Sequence, residues 1–143
     1  MNGFKDAKQA WEIISETFKR LDPKVLGNLD MVYSYHFTDL NWRFSVILKG
    51  GEIKVVEGSI PQSETTLEML SETFHQVMTG QINVMYAHLT NKARIVGSLG
   101  NVLKLRTIVL HLSKAYNSVI AEIKVKSDAG GSPAENPDQK QTT

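Results

Sequence analysis

The stretch that most constrains this chain runs from Phe74 to Leu112, FHQVMTGQINVMYAHLTNKARIVGSLGNVLKLRTIVLHL. Its three apolar blocks are separated only by Thr79-Gly80, by Thr90-Asn91-Lys92 and by the segment ARIVGS. Phe74, Val77 and Met78 stand at i, i+3, i+4, and Ile82, Met85, Tyr86 and Leu89 continue the rhythm, which predicts two short amphipathic helices. Ala93 to Gly97 carries Ile95-Val96 and is too short for a helix, so it is expected as a strand. A longer helix is expected beyond Gly100. Leu99, Val102, Leu103, Val109 and Leu110 fall on one of its sides, and Leu105, Ile108, Leu112 and Val119 fall nearer the other. A helix apolar on two sides needs two apolar neighbours, because exposed apolar area costs ~25 cal/mol per Å². A sheet can be one; short helices, a second subunit or a greasy ligand can be the other.

The rest of the chain supplies that sheet. Phe4, Ala7, Trp11, Ile14, Phe18 and Leu21 alternate steps of three and four, predicting an amphipathic N-terminal helix over 4–21 that ends before Asp22-Pro23. Trp11 and Phe18 share its apolar stripe with basic neighbours, so transient contact with a membrane surface is a second use for it. Lys24 to Leu29 is expected to add a turn. From Met31 the period becomes two. Met31 to Phe37 is aromatic and β-branched, Trp42 to Lys49 alternates, Gly50-Gly51 is a tight-turn dipeptide, and Glu52 to Gly58 returns as a third strand. After Pro61 a fourth strand is expected through Met69, with Ser71 capping the helix that carries Phe74.

With 143 residues and a net charge of +1, the chain suits one domain and gives no field directed at nucleic acid. The absence of cysteine removes disulfides, thiolate chemistry and cysteine metal sites together, and fits a cytoplasmic protein. No apolar run reaches the ~20 residues of a membrane span, and the first twenty residues lack a signal peptide's apolar block. Lys124 to Thr143 is rich in Gly, Ser, Pro and charge, so residues 1–125 are expected to form the domain and 126–143 a disordered tail. Gln141-Thr142-Thr143 is no peroxisomal tripeptide, and a stand-alone microbial protein is expected. His36, His75, His88 and His111 show no repeated metal spacing; Glu72-x-x-His75 is a single such pair, whereas a helical di-metal site needs two. Ser59 and Ser98 each follow glycine outside the pattern Gly-x-Ser-x-Gly. No catalytic residue, metal site or cofactor is expected.

WRFSVILKGGEIKVVEGS, then TTLEML, then SETFHQVMTGQINVMYAHLTNKARIVGSLGNVLKL follow one another in an order that resembles the sterol carrier protein type 2 family. Met78-Thr79-Gly80 ahead of a helix, the strand Ala93–Gly97, and Gly97-Ser98-Leu99-Gly100 leading into Val102 carry the likeness, which spans roughly Ala10 to Val119. Met78-Thr79 replaces the family's usual small-residue pair, and Ser98-Leu99 an acidic-apolar one. The resemblance implies an α+β fold: a five-stranded, mostly antiparallel sheet with helices over one face and a hydrophobic tunnel between them. It implies a non-catalytic carrier of sterol, fatty acid, fatty acyl-CoA or phospholipid. Phe44, Val46, Leu67, Met69, Phe74, Met78, Met85, Leu103 and Val109 are the expected lining, and methionine suits apolar shapes that vary. Gly97, Ser98, Gly100 and Arg94 are candidates for an anionic headgroup, with Lys92 and Lys104 near. The alternative is an interaction or accessory module for lipid or quinone metabolism whose cavity is collapsed or self-filled, a homodimer being one form open to it.

Overall fold

The computed structural model describes residues 3–130, with side chains as far as Lys124. Five strands form one sheet: β1 (Met31–Phe37), β2 (Trp42–Lys49), β3 (Glu52–Glu57), β4 (Thr65–Met69) and β5 (Ala93–Gly97). Their order is β3-β2-β1-β4-β5, antiparallel throughout except for the parallel pair β1–β4. The fold is α+β, with the five-stranded, mostly antiparallel sheet that the family resemblance implies. Register decides which side chains share a face. Tyr35 stands opposite Phe44 on β2 and Leu67 on β4, and Leu67 stands opposite Ile95. Tyr33, Phe37, Val46, Leu48 and Met69 join that face and are buried.

The opposite face carries Ser34, His36, Arg43, Glu68 and Arg94. Ser34 and Ser45 are fully buried on it, yet their hydroxyls are 2.8 Å apart, and Ser34 also donates to Ser63 across 2.8 Å. Hydrogen bonding is what makes such burial tolerable.

Helices α1 (Ala7–Lys19), α2 (Ser71–Met78), α3 (Val84–Leu89), α4 (Leu99–Lys104) and α5 (Arg106–Gly130) cover the aromatic face, and a short 3₁₀ turn spans Pro23–Leu26. Helix α1 is shorter than the expected 4–21, because Asp6 ends it: its carboxylate accepts from the Gln9 N–H at 2.8 Å. Phe4 and Leu21 lie outside the helix and are buried all the same. Phe4 packs its ring 5.8 Å from Phe37 and 6.2 Å from Phe74.

The membrane-contact use of α1 is corrected by its packing. Phe18 is 5% exposed and sits 6.4 Å from the Phe44 ring, and Trp11 packs edge-on against Trp42 at 6.3 Å. The stripe already faces the sheet. Arg20, just past the helix, donates to both carboxylate oxygens of Glu122 at 2.6 and 2.8 Å, tying the end of α1 to α5.

Three more expectations change. The single long helix beyond Gly100 is two helices, broken at Leu105, where no glycine or proline marks the break. Leu105, Ile108, Leu112, Tyr116 and Val119 then form one continuous buried stripe, while Leu103 and Leu110 stay exposed. Ser71 does not cap α2; it is the first helical residue, and Asp39 from the β1–β2 loop accepts its N–H at 2.8 Å and its O–H at 2.7 Å. Of the expected tail, 131–143 lie outside the described residues, whereas 126–130 continue α5. A helix can outrun its apolar stripe because propagation adds one hydrogen bond per residue fixed.

Candidate functional site

Between the sheet and helices α3, α4 and α5 the two layers do not close. The space left is a cavity of about 480 Å³, within the range of about 300–1,000 Å³ usual for small-molecule sites. Its floor is buried: Tyr35 and Leu67 from the paired strands β1 and β4, Val102 from α4 and Leu105 from the break. Val84, Met85 and Val109 form half-buried walls, and Asn83, Leu103, Arg106 and Leu110 form an exposed rim. Leu103 is 44% exposed and Leu110 is 72% exposed, so the mouth carries apolar area that the protein's own packing leaves uncovered.

The second apolar side of the C-terminal helices therefore faces this cavity and its mouth. Apolar side chains held open to water are costly. The same arrangement is useful when the missing neighbour is a guest molecule. Among the lining residues Arg106 alone is charged, and it lies on the rim. Burial pushes the Tyr33 and Tyr35 phenols well above the ordinary tyrosine range, so both keep their protons. Nothing in this set pairs a nucleophile with a base. No group of three or more His, Cys, Asp or Glu side chains able to hold a metal occurs among the described residues.

Four of the nine expected lining residues meet at the cavity: Leu67, Met85, Leu103 and Val109. Phe44, Val46, Met69, Phe74 and Met78 are placed in the packed core instead. Phe44 is stacked on Tyr35 at 4.9 Å, and Phe74 meets Tyr35 edge-on at 5.4 Å. Tyr35, Asn83, Val84, Val102, Leu105, Arg106 and Leu110 are lining residues that sequence reasoning did not select. Tyr35 was open to selection through strand parity, since it shares its face with Phe44 and Leu67.

The four headgroup candidates are not brought together. Arg94 lies on the outer face of β5, 3.3 Å from Glu68, and together with Lys92 it borders a separate polar hollow. Gly97 has φ +115°, and a Cβ there would stand 2.5 Å from the Glu64 carbonyl oxygen. The glycine is needed for close approach of β5 to β4. Ser98 caps the six-residue α4, its hydroxyl oxygen accepting from the Asn101 N–H at 3.3 Å, and Gly100 follows inside that helix.

The SCP-2 sterol transfer family profile matches residues 14–110. No curated protein matches the chain in sequence. Among solved structures, the sterol carrier protein domain 2 of Helicoverpa armigera superposes with a TM-score of 0.59 at 16% identity, covering 73% of this chain and 86% of that one. Sterol carrier protein-2 from Aedes aegypti, solved in complex with the C16 fatty acid palmitate, gives 0.55 at 20% identity, covering 69% and 96%. The stereoselective inverting sec-alkylsulfatase Pisa1 from Pseudomonas sp. gives a TM-score of 0.55 at 21% identity over 60% of this chain. The match spans only 14% of that enzyme's length. At these identities the likenesses establish the fold.

Proposed function

The chain belongs to the SCP-2 sterol transfer family, and from that premise we propose that it is a non-catalytic carrier that holds a long-chain lipid in the cavity between its sheet and its last three helices. The observation that carries this is the cavity itself: about 480 Å³, floored by Tyr35, Leu67, Val102 and Leu105 and rimmed by apolar side chains that nothing else covers. Apolar contact is enough to supply the affinity. Burying a dozen methylenes is worth on the order of 10 kcal/mol at roughly 0.8 each, from which association removes several. Micromolar binding follows.

A fatty acid or acyl chain enters tail first, and its anionic end stays at the mouth beside Arg106. The palmitate complex of the Aedes aegypti protein supports fatty acid as the ligand class. An unfilled interior speaks against the accessory module with a self-filled cavity. No helix among the described residues is long and apolar enough to cross a membrane, and the cysteine-free composition supports a carrier in the reducing cytoplasm. The test is saturable displacement of a fluorescent fatty acid from delipidated protein by unlabelled fatty acid. Binding that does not saturate, or that is not displaced, rejects the proposal.

A further inference from the structure

A net charge of +1 hides a division within the chain. No Asp or Glu occurs between Thr73 and Ala121, a stretch that holds Lys92, Arg94, Lys104, Arg106 and Lys114. With histidine neutral it carries +5, and the rest of the chain −4, against the net of +1. The same stretch contains α3, β5, α4 and most of α5, and α3 to α5 roof the cavity.

Arg94 is held by Glu68. Lys104, Arg106 and Lys114 are exposed, and no carboxylate lies within ion-pair distance of them among the described residues. Leu99, Leu103 and Leu110 stand among these cations and are exposed too. On α4, Leu99 and Leu103 are four residues apart; on α5, Arg106, Leu110 and Lys114 repeat that step. Each set therefore projects from one side of its helix. Leu103, Arg106 and Leu110 form part of the cavity rim, so uncovered apolar area and positive charge meet at the mouth.

Three kinds of partner could cover such a face. A second copy in a two-fold contact would set like charge against like, which is repulsive. A protein partner fits poorly, because interface hot spots favour Trp, Tyr and Arg over Leu. Leucine beside Lys and Arg is the pairing suited to a lipid–water boundary, where apolar side chains sink below the headgroups and cations stay level with them. Helix α1 offers no rival surface, since its own apolar stripe is packed on the sheet.

The geometry points to the α4–α5 face around the cavity mouth as a docking surface for an anionic phospholipid bilayer. Leu99, Leu103 and Leu110 enter among the headgroups, and Lys104, Arg106 and Lys114 are held by the lipid phosphates. Each cation at such a surface is worth about fivefold in affinity, and three together roughly a hundredfold. Docked in this way, the cavity opens toward acyl chains instead of water. Only that last consequence rests on the lipid-binding reading above; the docking itself stands on the surface.

The experiment is co-sedimentation of the full chain with two kinds of vesicle, phosphatidylcholine alone and equal parts phosphatidylcholine and phosphatidylglycerol. Binding to the anionic vesicles is expected to be at least about tenfold tighter at low salt. That preference should vanish near about 1 M salt, where charges are screened within about 3 Å. Lys104→Glu with Lys114→Glu should cut anionic binding at least about twentyfold. Leu99→Gln should weaken it about threefold. The same pair of reversals at the start of the chain, Lys5→Glu with Lys8→Glu, should change it less than about threefold. Equal binding to both vesicles overturns the proposal, and the two wild-type measurements decide this even if a variant fails to fold. So does an anionic preference that survives Lys104→Glu with Lys114→Glu, or an equal loss from the Lys5 and Lys8 pair. A vesicle-free dimer, seen by sedimentation equilibrium and broken by the Lys104 and Lys114 reversals, assigns the face to a second copy and also overturns it. Displacement of a fluorescent fatty acid without vesicles reads the cavity separately, and Lys104 and Lys114 do not line it. If displacement fails while the anionic preference and its loss hold, the carrier reading falls and the docking surface stands.

Discussion

His75 Nδ1 lies 2.6 Å from the Tyr116 hydroxyl, and this contact fastens α2 to α5 beneath the aromatic face of the sheet. Burial lowers the His75 pKa below its ordinary 6.5 and raises that of Tyr116, so the phenol donates and a neutral imidazole accepts. The unfolded chain then binds more protons than the folded one just below pH 6.5. Stability from this pair is therefore complete above that pH and is lost as pH falls through the depressed folded-state value. Urea midpoints measured between about pH 7.5 and pH 5 should fall on the acid side, and His75→Gln, which keeps an acceptor, should reduce the loss. Tyr116→Phe leaves the imidazole acceptor unpaired and should cost about 1–3 kcal/mol at neutral pH.

Removing the Tyr33 hydroxyl should have the opposite sign. Its oxygen is buried without a partner, so Tyr33→Phe deletes a desolvated polar group and keeps the ring that packs on Tyr35. In the lipid-free protein the substitution should be neutral or stabilising by up to ~1 kcal/mol, read from chemical denaturation. A loss beyond about 1 kcal/mol would show that the hydroxyl is satisfied inside the fold.

Gly97 makes a backbone prediction. Its φ is +115°, and any Cβ at this position would stand 2.5 Å from the Glu64 carbonyl oxygen, which leaves no room for a side chain. Gly97→Ala should destabilise by about 1–3 kcal/mol, whereas Gly100→Ala, whose Cβ would meet only Ser98 Oγ at 3.4 Å, should cost nothing measurable. Chemical denaturation of the two variants side by side checks the contrast.

Arg106 tests the orientation of the ligand. It is the charged residue on the rim of the cavity, exposed to solvent, so its attraction for a carboxylate is modest and screened by salt. Arg106→Gln should weaken fatty acid binding by about two- to fivefold at low ionic strength and leave the matching fatty alcohol unaffected. An equal effect on acid and alcohol would place the carboxylate elsewhere.

Much of this was legible in the sequence, and the exceptions have physical causes. Strand parity placed Phe44, Val46, Leu67 and Met69 on the inner face, and all four are there. Parity cannot say whether an inward side chain meets a packed neighbour or a void. Phe44 and Val46 are covered under the helices, whereas Leu67, one strand beyond β1, reaches the cavity. The two-sided character of the C-terminal helices was visible in Leu103 and Val109. The break at Leu105 was not, because it arises from docking rather than from a helix-breaking residue. Asp39 as the partner of Ser71 was invisible for the same reason: the two meet only after β1 has paired with β4.

The gap between β1–β4 and helices α3 to α5 is expected to hold lipid. Native mass spectrometry of the gently purified chain, beside Val109→Trp, tests it most directly. Val109 is a half-buried wall residue, and an indole there should fill the gap while the fold persists. A one-to-one lipid adduct is expected on the wild-type protein and not on the folded variant. A folded wild-type protein that never carries lipid, even after incubation with excess fatty acid, or an adduct that Val109→Trp leaves untouched, would contradict it.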